Sequence, residues 1–295
     1  MDRTGMPFSA NEVGRAFGAV ETMVDTRRIL AFAAAIGETD SVVFDDARPE
    51  GIVAPASFCV VPEWPVLRAT REAGLGRLTP KEMRRVVHAG QDTVFQHPIR
   101  PGDRLRCEAV LAEARAIPAG TLAALRLVTT EAASGDPVAV SRATFVYRGV
   151  ALKGEERRME HTPAPPAESR APLPDDATTV DIVIPRTLPH LYTEATDIWN
   201  PIHTERRAAL AAGLPDIILH GTTGWALAAR EIRRAHGFGP AAIRRLSGRF
   251  AAMVVPGTSV RLRHAETAPG VLRFELLNEA GEAAIDQGYL AISQP

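Results

Sequence analysis

The sequence is most informative at Thr196-Asp197-Ile198-Trp199-Asn200-Pro201-Ile202-His203-Thr204-Glu205, with Leu219-His220-Gly221-Thr222-Thr223-Gly224 a short way downstream. A helical pattern over about Leu188 to Asp197 runs into Pro201, which lacks an amide proton and cannot continue a helix. The residue before a proline is driven out of the right-handed helical region, so Asn200 should be extended. Asn200 and His203 are thereby expected to project from a break between helices rather than from a buried stripe. Gly221 opens a second helical pattern, to about Ala235. The first amides of a helix have no partner inside it and carry partial positive charge. An imidazole on a turn can move a proton, and unpaired amides can hold a carbonyl oxygen as negative charge develops on it.

Working outward, the 295 residues leave room for roughly two domains. Hydrophobic residues make up 45% and charged residues 23%, the balance of a globular chain rather than a disordered one. Lys and Arg total 34 against 35 Asp and Glu, a net charge of -1, which gives no electrostatic ground for binding nucleic acid or a membrane surface. Cys59 and Cys107 are too few for a disulfide scaffold or a structural zinc site and read as small buried hydrophobes in a reducing cytoplasm. No uncharged apolar run nears the ~18 residues needed to span a bilayer. Met1-Asp2-Arg3-Thr4-Gly5 opens without the apolar core of a secretory signal. No phosphate-binding glycine loop, metal-ligand spacing or Gly-x-Ser-x-Gly is found, so neither metal nor cofactor is expected.

Residues 150–176 hold Lys153-Gly154-Glu155-Glu156-Arg157-Arg158 and Pro163, Pro165, Pro166, Pro172 and Pro174, and read as a linker between residues 1–149 and 177–295. The two sides look alike. In the first, Asp25 to Ile36 reads as a capped helix and Ala56 to Ala73 contains another. Strand patterns follow at about Arg84 to Pro98, Asp103 to Glu113, Thr121 to Ala132 and Val138 to Tyr147. In the second, a strand at Thr179 to Pro185 precedes helices at Leu188 to Asp197, Glu205 to Ala212 and Gly221 to Ala235. Strands are expected at Ala242 to Met253, Ser259 to Thr267, Gly270 to Leu277 and Ala283 to Ile292. Pro101-Gly102 and Pro256-Gly257 stand at the same point of the two meanders, which favours duplication. Helices segregated against antiparallel sheet make the class α+β.

On Asn200-Pro201-Ile202-His203 and His220-Gly221, the chain resembles the MaoC-like hydratase/dehydratase family, which includes (R)-specific enoyl-CoA hydratases. Phe44-Asp45 and Ala54-Pro55-Ala56-Ser57-Phe58 resemble the degenerate partner domain of its double members. The resemblance implies a double hot-dog fold, in which each half is a central helix wrapped by a curved antiparallel sheet. It also implies addition or removal of water at the 2,3-position of an acyl thioester, the carrier being coenzyme A or an acyl carrier protein. His203 would then be the general acid/base, Asn200 would position groups, and the Gly221 amide would polarise the thioester. His220, Trp199, Thr222 and Arg249 would border the substrate, with Trp199 read first as core and Arg249 as able to meet a phosphate.

The family's carboxylate is out of register. Aligned on Asn200-Pro201, its aspartate falls on Ile198, and Asp197 lies one residue earlier, about 100° around a helix. Glu194 shares the helical face of Ile198. Three readings stay open: Asp197 acts through a local distortion, Glu194 substitutes, or the role is absent. In the first half, setting Asp40 against Asn200 puts Val43 where the histidine would stand, so that half is expected to be silent and to widen an acyl tunnel. The rival functions are a thioesterase on the same fold and a non-catalytic acyl-binding partner subunit. A further dimer of the whole chain is expected.

Overall fold

The computed structural model describes residues 7–160, 162 and 164–293. The strands used below are β1 (Ala16–Met23), β2 (Val86–Phe95), β3 (Arg104–Ile117), β4 (Gly120–Glu131), β5 (Pro137–Arg148), β6 (Thr178–Val183), β7 (Ile243–Phe250), β8 (Ser259–Ala268), β9 (Val271–Leu277) and β10 (Ala283–Ile292). The longer helices are α1 (Thr26–Ala35), α2 (Val60–Glu72), α3 (Leu188–Thr196) and α4 (Gly221–His236).

The alternation in β3 shows why a sheet with one inner face forms. Leu105, Cys107 and Ala109 are buried, while Arg104, Arg106 and Glu108 are exposed between them. The strands join one eleven-stranded antiparallel sheet in the order β1-β3-β4-β5-β2-β7-β10-β9-β8-β6, with Arg157–Arg158 as a short strand on β3. Read from the centre outward, both halves have the same order. The Pro-Gly turns repeat as well. Gly102 and Gly257 have φ of 94° and 96°, a left-handed conformation that glycine adopts without a Cβ penalty. Gly102 donates to the Val24 carbonyl at 2.8 Å, and Gly257 donates to that of Ile184 at 2.7 Å. Two copies of one unit meet at the β2–β7 seam, the double hot-dog arrangement.

α2 and α4 pack on the inner face. Phe32, Phe58, Trp225, Tyr192 and Phe274 fill the core, each at most 2% exposed. Asp25 caps α1 by accepting from the Arg28 amide at 2.7 Å. Cys59 and Cys107 are buried free thiols. Across the halves, Arg233 of α4 donates to Glu38 and Asp40, both at 2.7 Å. Strand β1, at the sheet's edge, was absent from the sequence expectation. Ala16–Met23 has little apolar alternation, because an edge strand with exposed positions on both faces needs none.

Candidate functional site

Helix α3 stops at Thr196 because Asp197 takes φ 57°, ψ 15°, a left-handed turn that ends the ladder. The Thr196 hydroxyl donates to the Tyr192 carbonyl at 2.6 Å and accepts from the Ile198 amide at 3.2 Å. Asn200 is extended, at φ -141° and ψ 122°, as a residue before proline must be. Its Oδ1 accepts from the Ile202 amide at 3.5 Å, capping the single 3-10 turn Pro201–His203. Asp40 caps Ser41–Phe44 in the same manner, accepting from Val42 at 3.0 Å, and Val43 is fully buried where His203 stands in the second half.

His203 sits at the end of that turn. Its Nδ1–H donates to the Ile218 carbonyl at 2.8 Å, which leaves the Nε2 lone pair free. His220, 3% exposed, donates from Nε2–H to the Ile198 carbonyl at 3.1 Å, with the Thr193 hydroxyl 3.3 Å away. Its Nδ1 is buried and finds no hydrogen-bonding partner among the described residues. The two rings stack with centres 3.7 Å apart. Burial pushes His203 down to about 4, against the pull of the Ile218 carbonyl. Burial, then the neighbouring His203, pushes His220 well below the usual imidazole range. Both rings are therefore neutral at physiological pH.

His220 is also the residue before α4. Its carbonyl accepts from the Thr223 and Gly224 amides at 3.0 and 3.3 Å. Among the described residues nothing accepts from the amides of Gly221 and Thr222, so two oriented donors stand beside the histidine pair. A Cβ on Gly221 would lie 2.7 Å from the Phe250 ring, so only glycine leaves the helix start this close to β7.

The structure gathers His203, His220, Gly221, Thr222 and Asn200 into one locality and leaves the carboxylates outside it. Glu194 is exposed. Asp197 is exposed and ion-paired with Arg28 of α1. The left-handed turn does distort the chain, but it carries the Asp197 carboxylate toward Arg28, and no carboxylate bears on the proton affinity of His203. Ile198 is buried at 8% and contributes only its carbonyl, to His220. Trp199 is 57% exposed rather than core, because the extended segment turns alternate side chains outward and Ile198 takes the inward place. Arg249 is exposed on β7 and paired with Asp286. The carbonyls of Ile218 and Ile198, the Thr193 hydroxyl and the Phe250 ring complete the site. A backbone carbonyl leaves no mark in sequence, so only Thr193, three residues before the motif, offered any signal.

Two family models match the chain. One described as FAS1-like, dehydratase domain region covers residues 11–140, and one described as MaoC like domain covers residues 169–284. A curated relative, "Probable enoyl-CoA hydratase 2" of Dictyostelium discoideum, is 26% identical over 180 residues; the match takes in 60% of this chain and 59% of that protein. The MaoC-like dehydratase from Phytophthora capsici superposes with a TM-score of 0.79 at 18% identity, covering 97% of this chain and 98% of that one. The peroxisomal multifunctional enzyme type 2 from Drosophila melanogaster gives 0.75 at 18% identity, over 94% of this chain and 48% of that one.

Proposed function

Because the chain belongs to the MaoC-like family of double hot-dog dehydratases, we propose that it is a hydro-lyase working at the 2,3-position of an acyl-CoA thioester. The observation that carries this reading is the neutral His203, with a free Nε2, stacked beside the residue whose successors present two unpaired amides. In the hydration direction the Nε2 of His203 takes a proton from water as the water oxygen bonds to C3. The electron pair of the double bond moves toward the thioester, whose oxygen is held by the Gly221 and Thr222 amides as it becomes an enolate. The proton on His203 then passes to C2, the thioester carbonyl re-forms, and the imidazole is neutral again. The Ile218 carbonyl keeps His203 in the tautomer that this cycle requires. Asn200, whose side-chain nitrogen makes no hydrogen bond among the described residues, stands one turn away to orient the water.

A second reading is favoured by Ile198. With an apolar side chain where the family carries a carboxylate, acyl-thioester binding without turnover is the natural fallback. Following the enoyl absorbance of enoyl-CoA substrates of differing bulk separates the two. The hydro-lyase reading expects turnover and a fall of at least about a hundredfold in kcat in His203→Ala. Binding with no absorbance change favours the fallback, and release of free thiol would make the protein a thioesterase.

A further inference from the structure

The half that lacks the catalytic motif sends a titratable side chain, His88 of β2, to the corner where α4 begins. We propose that His88, with Arg71 behind it, is a specificity-determining pair that selects acyl chains carrying a carboxylate over plain hydrocarbon chains. The proposal rests on the hydro-lyase reading for the reaction, though not for the selection itself.

The placement follows from the likeness of the two halves. Asp92 faces Ser247 at the middle of the β2–β7 seam, and the two stand equally far before Pro101-Gly102 and Pro256-Gly257. Counted from these points, Phe95 corresponds to Phe250 and His88 to Ile243. The ladders agree: β2 slips against β5 between His88 and Gly90, and β7 slips against β10 between Ile243 and Arg245. In the first half a crevice brings Ala56, which opens the turn leading into α2, together with Phe95 and Ile243. The matching corner of the second half holds Gly221, Phe250 and His88. A Cβ on Gly221 would lie 2.7 Å from the Phe250 ring, and that ring meets His88 edge-on with centres 5.3 Å apart. One ring therefore stands between the α4 amides and His88. The silent corner has Val43, Pro55 and Ile243 where the working corner has His203, His220 and His88.

His88 carries more than a packing role. Its ring stacks on Phe145 with centres 4.8 Å apart, yet its Nε2 is buried and finds no hydrogen-bonding partner among the described residues. A buried polar atom left unmet is costly, and a ligand group that meets it recovers that cost. Phe145 also lines a crevice under the last turn of α2, with Leu67, Leu125, Tyr147 and Arg71. Arg71 lies 5.3 Å over the Trp64 ring, and no carboxylate acts on it or on His88 among the described residues. The last carbonyls of α2 favour the charge of Arg71 without neutralising it. Burial pushes His88 down to about 4, and the Arg71 charge adds to this, so the two groups lie within electrostatic reach of each other. A hydrocarbon chain passing Phe250 would leave Nε2 unmet and strip water from Arg71. A hydroxyl meets the imidazole but not the cation. A carboxylate meets both, accepting from a guanidinium fork and from the imidazole N–H, while Leu67, Leu125 and Phe145 take the methylenes before it.

The test measures kcat/KM for enoyl-CoA thioesters of graded length, each made with a methyl or a carboxyl end, in wild type, His88→Ile and Arg71→Gln. His88→Ile installs the side chain that the corresponding corner already holds. At the best length wild type should favour the carboxyl series by at least about tenfold, and each variant should bring that ratio close to one, chiefly through KM. A loss of packing alone would lower both series together and leave the ratio in place. A ratio near one in wild type at every length, or a ratio that either folded variant keeps, overturns the proposal. Should His88→Ile fail to fold, Arg71→Gln decides by the same ratio. If no form hydrates any enoyl-CoA, calorimetric titration with the saturated thioesters of both series takes its place. A carboxyl preference lost in the variants then keeps the selection and discards the hydro-lyase reading, and equal binding of the two series discards the proposal.

Discussion

The imidazoles of His203 and His220 lie face to face, ring centres 3.7 Å apart and planes 24° from parallel, each with one nitrogen tied to a backbone carbonyl. Burial holds both below the ordinary histidine range, and for His220 the neighbouring His203 adds to it. For His203, pushed down to about 4, the base form persists through neutral and mildly acidic pH. The kcat/KM of hydration should therefore stay level from pH 8 to about 5 and drop only as pH approaches 4. An acid limb centred near 6.5 would mean that His203 is an ordinary exposed imidazole. Linkage gives a matching stability trend. Between pH 6.5 and 4 the unfolded chain binds a proton that the folded His203 refuses, so stability is full above 6.5 and is lost as pH falls toward 4.

Asp197 is tied to Arg28 across the halves, with its side chain 68% exposed. An exposed pair of this kind contributes at most about 1 kcal/mol. Asp197→Asn keeps a residue that tolerates the left-handed turn, and Glu194→Gln changes a solvated face. Each variant should hold kcat within about threefold of wild type in the enoyl-CoA assay, beside the roughly hundredfold loss expected of His203→Ala. A fall in Asp197→Asn comparable to that of His203→Ala would show that Asp197 leaves Arg28 and turns to the imidazole during turnover.

These contrasts also mark where sequence reasoning reached. The break at Asn200-Pro201 was legible because proline's missing amide acts locally, and the meander because inward residues alternate, as Leu105, Cys107 and Ala109 do. The direction of the Asp197 side chain was not legible. One left-handed residue decides it, and the partner that holds it is Arg28, far away in the chain. Nor was the approach of His88 to Phe250, which exists only once β2 and β7 are paired across the seam. Contacts between distant segments have no period and leave no local pattern to read.

Arg233 of α4 and Glu38, one residue after Gly37 at the end of the first-half helical stretch, form a buried pair at 2.7 Å, side chains 6% and 1% exposed. Against desolvation, bonds to Asp40 and Glu38 hold Arg233 above its ordinary range, and bonds from Arg233 and the Thr39 and Asp40 amides hold Glu38 below its own. Removing one partner strands a buried charge, at a cost of about 3–5 kcal/mol. Arg233→Ala should show that loss in urea denaturation, and Arg261→Ala, which breaks the exposed pair with Asp181, a far smaller one. Equal losses would mean that the bridge between halves is no tighter than a surface contact.

Glu63, on α2 in the half that has Val43 in place of the motif's histidine, is 1% exposed. It accepts from Gln91 Nε2 at 2.9 Å and from the Ser141 hydroxyl, which in turn lies 2.8 Å from that of Thr93. Burial raises the Glu63 carboxyl to about 7, although both hydrogen bonds pull it down. The folded protein thus keeps a proton that the unfolded chain has released above pH 4.5, so this contribution to stability is lost as pH rises through 7. Glutamine has nearly the same shape, can accept from Gln91 and donate to Ser141, and never ionises. Melting temperatures of wild type and Glu63→Gln, taken from pH 5 to 9, should therefore diverge in favour of the variant with increasing pH. In unfolding free energy the difference should approach on the order of 3 kcal/mol by about pH 7. Curves that stay parallel across that range would mean that the Glu63 carboxyl ionises in the folded protein as easily as in water.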